Sequence, residues 1–390
     1  MALAVQVAFR ILSGKPPGKA LSRPRMLIYD FLPAHATLGG ILLGSASVAR
    51  MALTGRILGV SGITGGLVRG HAREPQRWLF AGGLVGSGLA LRAIYPLAFN
   101  RAELAPWREA LGGFAVGLGA GLGNGCTSGH GILGNARLSP RSMAFTATFM
   151  AAGCAVASAT RAASAVRAEH APPPPVIDVL ALAARVLAAH AAGYAAVVGL
   201  TSAGALAPPL ALCALSALDG SLFGCGLGLS GMTSPARIAQ FLDVSEGTWN
   251  PTLMFVMGGA LLLATPFLQL AVLRRGGAAM GAPLLGGRFA LPTNSTIDAK
   301  LLAGGVLFGS GWGLGGMCPG PALVNLASPH GAPLIFVGAL CVGLRLADSA
   351  ALNAWFGAPM PPTGASAPPA ESAVAKPASA PSAEVSRRGG

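Results

Sequence analysis

Apolar runs of about 20 residues recur along this chain, and that is the length a tilted α-helix needs to cross a bilayer. They lie near 34–52, 78–98, 142–160, 177–200, 202–217, 251–273 and 333–350. Between them stand shorter runs studded with glycine, at 54–66, 109–126, 219–232 and 301–318. Of the 390 residues, 53% are hydrophobic and only 10% are charged, where an ordinary soluble domain carries roughly 25% charged residues. So few charges cannot cover a soluble surface around that much apolar chain. The sequence predicts an all-α, polytopic integral membrane protein, a helical bundle whose main partner is the lipid bilayer. A soluble enzyme, a disulfide-framed domain and a disordered chain are excluded. The 57 glycines follow no three-residue period, so the chain is no collagen. Among Leu, Val and Ala they suit helices that approach closely inside a membrane.

The net charge is +14, from 27 Lys and Arg against 13 Asp and Glu. On a soluble domain that excess would suggest nucleic acid. Here the arginines, such as Arg50, Arg56, Arg69 and Arg77, fall between apolar runs. That placement suits loops beside anionic headgroups, and it also suits a protein that attracts anions, with no nucleic-acid partner. The six cysteines include no C-x-x-C pair, so they read as free thiols, and neither a metal nor a cofactor is expected. Cys154, Cys213 and Cys341 sit among Ala, Leu and Val as packing residues, while Cys225 is open to either a packing or a pore-facing role.

The chain divides into a basic tail over residues 1–32, which also has the composition of a transit peptide, a first membrane repeat over 33–160, a Pro-rich connection over 161–176, a second repeat over 177–356, and a Pro/Ala/Ser tail over 357–390 expected to be disordered. The repeat is visible in the short segments. Gly55, Gly59, Ser61, Gly62 and Thr64 align with Gly224, Gly228, Ser230, Gly231 and Thr233. Gly117, Gly119, Gly121, Gly123 and Cys126 align without a gap on Gly309, Gly311, Gly313, Gly315 and Cys318.

Duplicated halves with interrupted hydrophobic segments in matching places point to a binding site between them. A helix that stops inside the membrane leaves backbone groups that lipid cannot satisfy, so they must meet a cavity, a partner or a ligand. Where the ends are helix N-termini, the ligand is an anion. The richest segment holds Gly125, Cys126, Thr127, Ser128 and His130 between flexible glycines. Its counterpart holds Cys318, Pro319 and Gly320, with prolines that break the preceding helix. A pseudo-twofold arrangement would bring the two cysteines together near the membrane midplane. Ser61 and Ser230 are candidates for the same site, or satisfy backbone groups at the helix ends. His130 is a proton-sensitive partner for an anion or a cap. Asp243 and Asp298 fix an arginine or a helix N-terminus, with proton coupling as the alternative.

The strings GNGCTSGHGILGNARLSPRSM, FGCGLGLSGMTSPARIAQFLD and FGSGWGLGGMCPGPALVNL resemble the YeeE/YedE sulphur-transport family, with its TsuA-type thiosulfate transporters. The resemblance covers 34–350. It implies inverted repeats, short half-helices meeting at the membrane centre, and thiosulfate or a related sulphur anion passing between cysteine thiols. The cysteines that match are Cys126 and Cys318. Two features depart from the family pattern: the first short segment offers Ser61 and no thiol, and Cys225 is extra. The expectation is a permease in the cell membrane, or in an organelle membrane, with a downstream sulfurtransferase as partner. The alternatives are a membrane thiol enzyme relaying sulfane sulfur or disulfide electrons, and a transporter of the same fold for another anion.

Overall fold

In this computed structural model the described residues are 31–70, 73–99, 102–165, 167–168, 173–245, 249–273, 280–328 and 331–356. The expected tail at 357–390, and all but the last two residues of the one at 1–32, lie outside them. In chain order the helices are α1 (Pro33–Thr54), α2 (Val60–Val68), α3 (Pro75–Ile94), α4 (Pro106–Leu122), a π-helix (Thr127–Gly134), and α5 (Pro140–Ala159). A connecting helix, α6 (Val176–Ser202), leads to α7 (Pro208–Leu229), α8 (Pro235–Leu242), α9 (Thr252–Pro266), α10 (Ala299–Gly315), α11 (Pro319–Val324) and α12 (Ala332–Leu346). A two-residue antiparallel ladder pairs Ala102 with Ala168 and Glu103 with Arg167. Proline opens α1, α3, α4, α5, α7, α8 and α11. There it gives up an N–H that has no intrahelical acceptor, and its fixed φ is already helical.

Helices α1, α5, α6, α7 and α9 with its π-helical extension to Val272 are long and apolar enough to cross a membrane. The helices Ala299–Gly315 and Pro319–Ala327 together are also long and apolar enough to cross, with a 44° bend between them, as a broken span or a re-entrant loop. The chain is an all-α polytopic membrane protein. On α6 only 11% of the most apolar window is buried, so most of this helix is left uncovered by the rest of the chain.

Two sequence expectations change here. The runs at 202–217 and 219–232 are one continuous helix, α7. Asp219 marks no break, because its carboxylate is paired inside the bundle. The run at 333–350 yields only the 15-residue α12.

Helix packing crosses between the two halves. α1 packs on α9 and α7 packs on α3; α4 lies against α12 as α10 lies against α5; α1 meets α7, and α4 meets α10. Glycine permits these approaches. A Cβ on Gly117 would stand 2.1 Å from the Leu340 carbonyl oxygen, and one on Gly309 would stand 2.2 Å from that of Phe149. Phe149 also stacks edge-to-face with Phe145, Phe308 and Trp312 at centroid distances of 5.6, 5.4 and 5.8 Å, filling the core beside the two breaks.

Backbone turns set the register of the repeat. Asn124 (φ 56°) and Gly316 (φ 62°) both turn left-handed two residues ahead of a cysteine, as the ungapped Cys126/Cys318 alignment requires. The other alignment is corrected. Gly55 (φ 69°) ends α1, and the comparable left-handed turn after α7 is Gly231 (φ 77°), whereas Gly224 lies inside α7. Ser61 therefore sits on the first turn of α2, and Ser230 is the C-cap of α7. They are not structural counterparts.

Candidate functional site

The two cysteines occupy the same local position. Cys126 is the extended N-cap of the π-helix (φ −136°, ψ −167°), and Cys318 is the extended N-cap of α11 (φ −117°, ψ 172°). Gly316 is required before Cys318, since a Cβ there would crowd Pro235 at 3.0 Å and φ is positive. Asn124 takes the same conformation before Cys126, which Asn tolerates better than most residues.

Adjacent side chains join the breaks. The Thr127 hydroxyl donates to the Cys318 sulfur at 3.7 Å across 191 residues of sequence. Ser128 Oγ lies 3.1 Å from the Cys126 sulfur and accepts the Val60 N–H at 3.0 Å. One dipeptide thus touches both thiols and the N-terminus of α2. Both cysteines are buried, at 1% and 2% exposure, and all six cysteines are free thiols.

Two cavities are lined by neighbouring residues of this loop. The first, about 400 Å³, is lined by Cys126, Thr127, Ser128, Cys318, Gly320 and Trp312, with Met150, Met232, Met254 and Met257 among its apolar walls. The second, about 390 Å³, is lined by Arg50, Arg56, Arg77, Glu74, Ser61, Asn124, Gly125 and Gly129. Successive residues of one loop face opposite ways: Gly125 and Gly129 toward the basic cavity, Cys126 to Ser128 toward the sulphur-rich one. Trp312 Nε1 and Ser61 Oγ are buried polar atoms without a hydrogen-bond partner among the described residues. A donor left so is costly unless a ligand meets it. On the loop outside the spanning helices, burial holds the Arg56 guanidinium below the ordinary arginine range, and Arg50 adds to this.

Other sequence candidates have structural duties. His130 Nδ1 meets Ser142 Oγ at 3.0 Å, Nε2 meets the Gly123 carbonyl at 3.1 Å, and the ring packs on Phe145 at 4.5 Å. It faces neither cavity, because both nitrogens are committed to holding the loop. Gly125 makes room for it: a Cβ there would strike the ring at 2.6 Å. Ser230 donates to Leu227 O at 2.9 Å and packs against Gly39, and Pro319 serves to open α11; neither lines a cavity. Asp298 caps α10 through Leu301 N at 2.7 Å and pairs with Arg141 at 3.3 Å. Asp243 accepts from Ala163 N and Ser245 N at 3.3 and 3.1 Å. Arg137 donates to the Pro292 carbonyl at 2.6 Å.

Two features went unread in the sequence. One is the buried ion pair of Arg50 and Asp219 at 2.8 Å, in which Tyr194 donates to the other carboxylate oxygen at 2.8 Å. A lone acid in an apolar run was its signal. The other is Trp312, whose indole N–H inside a glycine run was the only clue.

A family model described as a family of unknown function, DUF6691, matches residues 211–352. A protein named as a probable transporter in Xylella fastidiosa (strain Temecula1 / ATCC 700964) is 45% identical over 129 residues, 33% of this chain and 83% of that protein. A second probable transporter of the same strain is 45% identical over 125 residues, 32% of this chain and 92% of that protein. No solved structure matches the chain.

Proposed function

We propose, from the premise that this chain belongs to the family of the Xylella fastidiosa probable transporters it matches, that it is a permease for thiosulfate or a closely related sulphur anion. The observation that carries this reading is the Thr127–Ser128 dipeptide, which contacts Cys318 and Cys126 on the wall of the sulphur-rich cavity, while its neighbours Gly125 and Gly129 line the basic one. The likeness of the three loop strings to sulphur transporters supports it. The name of the relatives favours transport over the thiol-enzyme alternative.

The chemistry of the two cavities suits the two ends of such an anion. Its charged oxygens are strong acceptors, matched by guanidinium groups on the basic side. Its terminal sulfur is soft and accepts weak hydrogen bonds, matched by S–H donors and methionine thioethers on the other. In this reading the anion gathers near Arg56, passes Ser128 and Cys126, and reaches Cys318 and Thr127, where Trp312 Nε1 supplies one more donor. That path runs past the Ser128–Val60 hydrogen bond, and breaking it costs about 0.5–1.5 kcal/mol net, the value of a neutral hydrogen bond. Weak binding at successive stations lets the ion both enter and leave. The thiols donate and remain thiols throughout.

The test is thiosulfate uptake in a bacterial strain lacking its own importers. Wild type should restore thiosulfate-dependent growth. Cys126→Ser and Cys318→Ser should each reduce uptake about tenfold or more at equal membrane abundance. Unchanged uptake in both variants ends the thiol role. Wild type that inserts but takes up no thiosulfate ends the substrate assignment.

A further inference from the structure

The basic cavity contains more than a funnel of positive charge. Its three arginines differ in how they are neutralised. Arg50 is paired with Asp219 at 2.8 Å, and Arg77 with Glu74 at 2.8 Å, where Glu74 also accepts from Gln76 at 3.0 Å. Arg77 further donates to the Gly62 carbonyl at 3.1 Å. The side chain of Arg56 has no ion pair or hydrogen bond among the described residues. It is half-buried at the wall of the cavity.

Ser61, on the first turn of the nine-residue α2, lines the same space. It is 3% exposed, and its hydroxyl has no partner among the described residues. The Val60 N–H is taken by Ser128, and the Ile63 N–H bonds to the Gly59 carbonyl. The N–H groups of Ser61 and Gly62 stand between them, at the helix end where no intrahelical acceptor exists. Ser61, Gly59 and Gly62 all line this cavity, and a Cβ built on either glycine would meet no atom within 4 Å. An unpaired guanidinium, an orphaned buried hydroxyl and two first-turn N–H groups converge on one cavity, and only acceptors that carry negative charge satisfy all of them.

We infer that this cavity is an oxyanion station for a sulfonate-type –SO3 head, held by Arg56, Ser61 and the first turn of α2, one step ahead of the thiols. The inference rests on the permease reading and deepens it: oxygens and charge are selected here, and the terminal sulfur is selected afterwards at Cys126 and Cys318. Sulfate offers the same three-oxygen face with oxygen in place of the terminal sulfur. It therefore binds at the station and competes there without being passed on to the thiols.

The experiment measures binding of sodium sulfate and sodium thiosulfate separately, by titration calorimetry on the purified full chain in nanodiscs at low ionic strength, beside uptake in cells. Wild type should bind both anions. Arg56→Gln should weaken both about tenfold, the size of one lost charge-assisted contact. Arg56→Lys should recover part of the loss, and Ser61→Ala should weaken both anions less. Cys318→Ser should keep sulfate affinity while losing thiosulfate uptake. Sulfate affinity unchanged in both Arg56→Gln and Ser61→Ala, or no sulfate binding by wild type, overturns the station. If wild type binds sulfate through Arg56 yet takes up no thiosulfate, the station stands and the substrate assignment falls. If Arg56→Gln does not fold, a loss of sulfate binding in Ser61→Ala supports the station and unchanged binding overturns it.

Discussion

Asp219 is wholly buried, and among the described residues Arg50 and Tyr194 bond its carboxylate in place of water. A buried pair adds little over an apolar replacement, but removing one partner strands the other. Asp219→Ala should thus destabilise the protein by about 3–5 kcal/mol, read as a drop in the detergent unfolding midpoint. The double change Arg50→Met with Asp219→Leu should recover most of that loss. A single variant as stable as wild type would show that Arg50 finds another counter-charge. Trp312 is the opposite case, a buried donor with nothing to donate to. Trp312→Phe keeps an aromatic ring against Phe149 but removes the N–H together with part of the indole. The apparent KM for thiosulfate should rise about tenfold, as for one lost hydrogen bond to a charged group, and the smaller ring should also lower the unfolding midpoint modestly through the void it leaves. An unaltered KM would place that N–H outside the path.

Helices here are specified by where their glycines meet neighbours. Gly117 on α4 leaves no room for a Cβ beside α12, while Gly82 on α3 faces open space. Gly117→Val should cost about 1–3 kcal/mol or more through overpacking, seen as aggregation on size-exclusion chromatography. Gly82→Ala should be neutral or raise the midpoint, by up to ~1 kcal/mol of helix propensity. Equal behaviour of the two would dissociate glycine from packing. The same distinction explains what could be read from sequence. Long apolar runs announce α1, α5, α6 and α9 because hydropathy is a local property. The Cys126 and Cys318 breaks are legible because proline, glycine and asparagine report backbone turns directly. The continuity of α7 is hidden in the sequence because its second half is studded with glycines. Their meaning depends on α1 and α3, which pack on them from far along the chain. The two readings of His130, anion partner or cap, cannot be separated in the sequence for the same reason: Ser142, Gly123 and Phe145, which occupy it, become neighbours only after folding.

At the scale of the whole molecule, the principal partners of α4, α5, α1 and α3 are α12, α10, α9 and α7. Neither half encloses its own site, and the thiol-bearing cavity needs residues from both. A chain cut within the 161–176 connection should give halves that are inactive alone and restore uptake when produced together. Activity from a single half would show that its copies can replace the missing partner. This interlocking also imposes a schedule on biosynthesis. With ~5–20 residues added per second, on the order of ten seconds separates the emergence of α5 from that of α10. During that interval the glycine faces of the first half touch lipid or the insertion machinery. The first half must therefore persist in the bilayer as loosely associated helices, and only the late arrival of α9 to α12 turns it into a sealed barrier with a passage through it.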